Sequence, residues 1–199
     1  MWSGNLASVK RLPAELEAKL DAIADEFLAD GELGRMDAVA SAIGVPRATL
    51  YYHFSGKDDL VAHFMTDKMR RVADRVTEAL AADANALDRF DGALRAAAKE
   101  LASNPAVCLN IMTGMSRAGA MSELMAASDR QILTPLRAAL AEAAAEQGVR
   151  IPDLEITMMA IMGGIYMAVV QQHALGRVVD PDTIAEAIAT QALRGVLGR

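Results

Sequence analysis

Between Val39 and Lys57 the chain reads VASAIGVPRATLYYHFSGK, and its side chains are suited to hydrogen bonding along a polyanion rather than to catalysis. Arg47, Thr49, Tyr51, Tyr52 and His53 all form hydrogen bonds, most of them on a cationic or aromatic body, and they stand among the apolar anchors Leu50 and Phe54. A short helix with polar groups outside and anchors inside is what an element needs to read base edges in the major groove, about 12 Å wide. Lys57 follows in the first turn of the next helix. The macrodipole disfavours a cation there, so a nearby phosphate accounts for Lys57 better than local stability does.

Other elements must hold that helix. Apolar residues recur at spacings of three and four almost throughout, which predicts an all-α fold. A first helix is expected from Ala14 to Asp30, with Leu16, Leu20, Ile23, Phe27 and Leu28 on one stripe, Pro13 near its start and Gly31 as its stop. A second runs from Arg35 to Ile43 and ends at Gly44, where a left-handed residue is cheap. The third is the reading helix, Pro46 to His53. Ser55 is expected to cap the fourth, with Asp58 completing a capping box, and this helix continues to Ala82.

Beyond a seam at Asp83 to Ala86, further helices are expected at Ala86 to Ala102, Ala106 to Arg117, Ala120 to Gln147, Pro152 to Leu175 and Pro181 to Leu197. Pro135 should kink the third of these or split it. The domains are therefore read as residues 1–55, joined through a helix at 56–82 to residues 83–199.

Composition narrows the function. The 199 residues are 53% apolar, enough for a packed core, and exclude a disordered tail. With 20 basic and 26 acidic residues the net charge is −6, so contact with nucleic acid must be local. A single cysteine, Cys108, makes neither an internal disulfide nor a metal cluster; its apolar neighbours favour an inert buried thiol, and a reducing cytoplasm is expected. Met158 to Val170 falls short of the roughly 18 residues of a bilayer span and reads as a buried helix, with no membrane partner expected. His63 and His173 lack partners at metal-binding spacing, so no metal is expected, and no nucleophile elbow, phosphate loop or paired carboxylates suggest an enzyme or a cofactor.

The pattern Gly44-Val45-x-x-x-Thr49-Leu50-Tyr51-x-His53-Phe54-x-x-Lys57-x-x-Leu60, placed after a first helix, resembles the tetracycline-repressor (TetR) family of bacterial regulators over residues 14–65. The resemblance implies a homodimer on double-stranded operator DNA of palindromic form. It places Arg47, Thr49, Tyr51 and Tyr52 near bases and Tyr51, His53 and Lys57 near phosphates. The family commonly begins its second helix with a threonine that touches the DNA backbone. Arg35, Met36 and Asp37 stand there instead, Arg35 as its expected substitute and Asp37 as a group that repels phosphate. Lys10 and Arg11 read as a solvated tail or a small basic arm.

The resemblance also implies a small inducer bound among the later helices, which are rich in methionine, a side chain that adapts to varied apolar ligands. Asn110, Met112, Met115, Met125, Met162 and Tyr166 are the candidate lining residues, with Thr113, Ser116 and Arg117 as further polar contacts. Gly163 and Gly164 permit close helix approach, and the stripe Ile184, Ile188, Ala192 and Val196 completes a helix pair that a second copy would bury. The function expected is a repressor released from its operator by a small apolar ligand. The alternative is an all-α binding protein or enzyme that keeps the helix-turn-helix as scaffold.

Overall fold

The structure is a computed structural model that describes residues 12–29, 35–114, 119–178 and 180–198, and among these the fold is all-α. The helices are α1 (Ala14–Asp21), α2 (Ala24–Ala29), α3 (Met36–Ala42), α4 (Arg47–His53), α5 (Lys57–Leu80), α6 (Ala86–Ala102), α7 (Pro105–Gly114), α8 (Ala120–Ser128), α9 (Thr134–Glu146), α10 (Leu154–Ala174) and α11 (Pro181–Leu197). The expected stretch at residues 30–34 and the expected basic arm at 10–11 lie outside the described residues.

Two compact units form, one from residues 1–68 and 110–127 and the other from 69–109 and 128–199. The first half of α5 packs with the head, and the segment from Asn110 onward joins the same unit.

In the first unit, Leu20, Phe27, Val39, Leu50, Phe54, Leu60, Phe64 and Met65 are buried together. The Phe27 and Phe64 rings meet edge to face at 5.1 Å, an arrangement aromatic pairs favour. Lys68 pairs with Asp25 and ties α5 to α2. The single first helix of the sequence reading is in fact two. The Ile23 N–H turns to the Leu20 carbonyl, 3.1 Å, in the tighter three-residue pattern, and the chain restarts as α2. Neither glycine nor proline marks that break, so the sequence carried no warning of it. At the end of α3, Gly44 has φ +66° and the Val45 N–H reaches back to the Ala40 carbonyl, 3.0 Å, which turns the chain sharply into α4. The box that opens α5 is closed by Asp59 instead of Asp58. The Ser55 N–H donates to the Asp59 carboxylate at 2.9 Å, because the helix begins at Lys57 and the reach-back falls one residue later than expected.

The second unit is organised on α6, against which α9 and α11 pack. Ala93, Ala97 and Ala98 let those helices approach, while Phe90, Leu94 and Leu101 fill the interior. Asn85, Asp153 and Asp180 cap α6, α10 and α11 through side-chain oxygens that accept from the backbone three residues on. The interruption expected at Pro135 takes the form of a π-helical segment, Asp129–Leu133, immediately before α9. Proline has no N–H to donate and its ring crowds the carbonyl four residues back, and the wider turn relieves both problems. Arg137 braces this segment with bonds to Asp129 at 3.0 Å and to the Thr134 hydroxyl at 2.9 Å.

Helix α10 corrects the reading of Met158 to Val170 as a buried helix. Met158, Ile161, Met162, Ile165 and Val169 are buried, but Ile156, Met159, Ala160, Gly163 and Met167 are exposed along the opposite stripe. Its 21 residues make it the one helix among those described that is long and apolar enough, by length and composition, to cross a membrane.

Candidate nucleic-acid interface

Helix α4 is seven residues long and is held by one face. Leu50 and Phe54 are fully buried, and Pro46, just before the helix, accepts the Thr49 N–H at 2.9 Å. Opposite them Arg47 is exposed, Tyr51 is 44% exposed and Tyr52 62% exposed, with Thr49 half-buried at the edge. Large aromatics left this open on a small head cannot be serving its core. Lys57 is also exposed, as the first residue of α5.

His53 does not join this face. It is 8% exposed, because position 53 lies three residues after Leu50 and so falls on the inward stripe. Its ring stands perpendicular to that of Tyr52 at 5.0 Å and backs the exposed tyrosine. His63 packs on Phe54 at 5.4 Å, and burial holds its pKa below the ordinary value.

The outward arginine is engaged within the head. Its Nε lies 2.8 Å from Asp37 Oδ1, its Nη1 donates to Asp37 Oδ2 at 3.1 Å and its Nη2 donates to the Tyr51 hydroxyl at 3.3 Å. The guanidinium carbon sits 5.1 Å from the Tyr51 ring centre, in the range of a cation–π contact. The Tyr51 hydroxyl first, and the Asp37 charge second, push the Arg47 pKa up. Asp37 had been read as a carboxylate that would repel phosphate. Its charge is directed instead at Arg47, ten residues on, a pairing that a helix-turn-helix spacing could have suggested. Arg35 is exposed at the N-cap of α3 and makes no side-chain cap there.

The candidate effector residues fall in different units. In the first, Asn110 donates to the Leu28 carbonyl at 3.3 Å, and Met112 and Met125 are half-buried. Met115 lies outside the described residues, as do Ser116 and Arg117. In the second, Met162 is buried, and Tyr166 is partly buried with no hydrogen-bond partner for its hydroxyl among the described residues. Burial, and secondarily the neighbouring Cys108, push the Tyr166 pKa up, and burial pushes the Cys108 thiol up to about 12. A cavity of about 200 Å³ opens beside Val169, Gln172, His173 and Arg177, and neither Met162 nor Tyr166 lines it.

A short glycine-turned pair of helices, with an exposed polar and aromatic face on the second, has the form of a helix-turn-helix unit. Residues 20–64 match the family described as bacterial regulatory proteins, tetR family. No curated protein matches it in sequence. Among solved structures it is similar to the fatty acid degradation regulator FadR from Bacillus halodurans, with 18% identity over 94% of this chain and 98% of that one and a TM-score of 0.72. FadR from Bacillus subtilis, solved in complex with stearoyl-CoA, gives 17% identity over 91% and 99% with a TM-score of 0.72. The ketosteroid regulator KstR2 of Mycobacterium tuberculosis gives 17% over 96% and 98% with a TM-score of 0.68. Identities this low speak for the fold alone.

Proposed function

We propose that this chain is a homodimeric transcriptional repressor of the bacterial cytoplasm, and not an enzyme, which binds a palindromic operator through α4 and leaves it when a small apolar molecule binds. The observation that carries the DNA reading is the outer face of α4, where Arg47, Thr49, Tyr51 and Tyr52 stand on a head that matches the TetR family. Lys57 at the start of α5 supplies a phosphate contact. Dimerisation is supported by the exposed apolar stripe of α10, an unusual surface for a soluble monomer and one that a second copy of the same stripe would cover.

The effector reading is supported by Tyr166, a partly buried residue whose hydroxyl would orient an otherwise apolar guest. A long-chain acyl thioester, the class named in the Bacillus subtilis complex, is the first compound to try. The ligand need only prefer the state that releases DNA. A tenfold preference shifts the balance by about 1.4 kcal/mol, and by linkage the operator must weaken ligand binding tenfold as well.

The experiment is selection of DNA from random duplexes, followed by calorimetric titration of stearoyl-CoA with and without the selected DNA. Enrichment of a two-fold symmetric sequence and unequal ligand affinities are expected. Failure to enrich any sequence overturns the DNA reading, and equal affinities overturn stearoyl-CoA as the inducer.

A further inference from the structure

The contact between Asp37 and Arg47 bears on how the head discriminates sequence, and the inference rests on the DNA-binding reading above. A guanidinium carries five N–H donors, one on Nε and two on each Nη. Asp37 lies against Nε at 2.8 Å and takes one donor of Nη1 at 3.1 Å, and the Tyr51 hydroxyl takes one donor of Nη2 at 3.3 Å. The Nε N–H, one N–H on Nη1 and one on Nη2 are left, all in the plane of the guanidinium. A pair of such donors is what meets the O6 and N7 acceptors of guanine in the major groove.

The carboxylate also removes the reason for a phosphate to approach. A guanidinium already balanced by an anion about 3 Å away offers little net charge and releases few counterions, while an incoming phosphate would meet the Asp37 carboxylate. A base edge is neutral and meets no such repulsion. Tyr51 completes the support by placing its ring 5.1 Å from the guanidinium carbon, which limits the rotamers a long arginine would otherwise sample.

We infer that Asp37 is a positioning residue that commits Arg47 to a guanine edge instead of to the DNA backbone, making it a determinant of specificity that touches no base itself.

The test is selection from duplexes with a randomised stretch, run in parallel on the full-length wild type, Asp37→Asn, Asp37→Glu and Arg47→Ala. The wild type is expected to enrich one guanine position per half-site that Arg47→Ala no longer prefers. Asp37→Asn should lose about tenfold preference at that position alone and keep the others. Its salt slope on unselected DNA should steepen by about one, as the freed cation finds a phosphate, and Asp37→Glu should restore the wild-type slope. A loss of fold would blur every position and show in the circular dichroism, which separates a structural role from a positioning one. An Asp37→Asn motif identical to the wild type, or a loss spread evenly over all positions, overturns the inference while the DNA reading stands. If the wild type enriches nothing, both are overturned.

Discussion

The side-chain amide of Asn110 donates to the main-chain carbonyl of Leu28 across 3.3 Å, joining the second half of α7 to the last turn of α2. Carbonyls at a helix C-terminus have no partner within the helix, so the amide satisfies a group that would otherwise need water. This is a structural task for a residue first placed in an effector pocket. Asn110→Ala is expected to lower the unfolding free energy by about 1 kcal/mol, measured by urea denaturation. Unchanged stability would return Asn110 to the list of ligand contacts.

Lys57 and Arg47 should respond differently to removal. Lys57→Ala is expected to weaken binding to all duplexes alike and to make the salt dependence shallower by about one. Arg47→Ala should weaken the selected sequence by about ten- to hundredfold while changing unselected DNA little. Gel-shift titrations at several salt concentrations check both. Equal losses on both kinds of DNA for Arg47→Ala would show that it contacts phosphate.

The α10 stripe gives a prediction about assembly. A Cβ at Gly163 would meet nothing within 4 Å in the single chain, so Gly163→Leu leaves the monomer fold intact. The same leucine on a face pressed against a second copy would hold the helices apart. Sedimentation should then show a dimer for the wild type and a monomer for the variant, with equal helicity. A wild-type monomer at micromolar concentration would contradict the assembly proposed.

Cys108 gives a prediction about pH. The thiol, whose Sγ–H points to the Leu101 carbonyl at 3.7 Å, is buried, and burial raises its pKa from an ordinary 9.0 to about 12. The folded state then holds a proton that the unfolded state releases, and the stability this contributes is present below pH 9 and is lost as pH climbs towards 12. Cys108→Ala should flatten that decline in thermal melts. In native protein at pH 8 the thiol should ignore a disulfide reagent that reacts promptly once urea is added. Prompt reaction without urea would refute its burial.

Much of the chain was legible before the structure, and the reasons are local. Helices α6 and α11 begin and end where expected because each keeps one periodicity throughout, and side-chain caps at Asn85 and Asp180 fix their starts. The break after Asp21 was invisible because Ala22 and Ile23 are ordinary helical residues, and only a change in hydrogen-bond partner separates α1 from α2. His53 was misplaced because type suggested exposure, while its offset from Leu50 dictated burial. The methionines of α10 could not be sorted in advance for a similar reason. Met159 and Met167 lie on the open face of α10 and Met162 on the closed one, and composition alone cannot sort residues by face.

At a rise of 1.5 Å per residue the seven residues of α4 span about 10 Å, which at 3.4 Å per base pair faces about three base pairs. On the DNA reading proposed above, with His53 turned inward, the bases within its reach fall to four side chains. Three fixed base pairs recur by chance roughly once in 64 positions, which is useless as an address in a genome, whereas the two heads of the proposed dimer would bring that to about once in 4,000. In the dimer proposed above, the fixed spacing between the two heads is what multiplies two short words into one longer address.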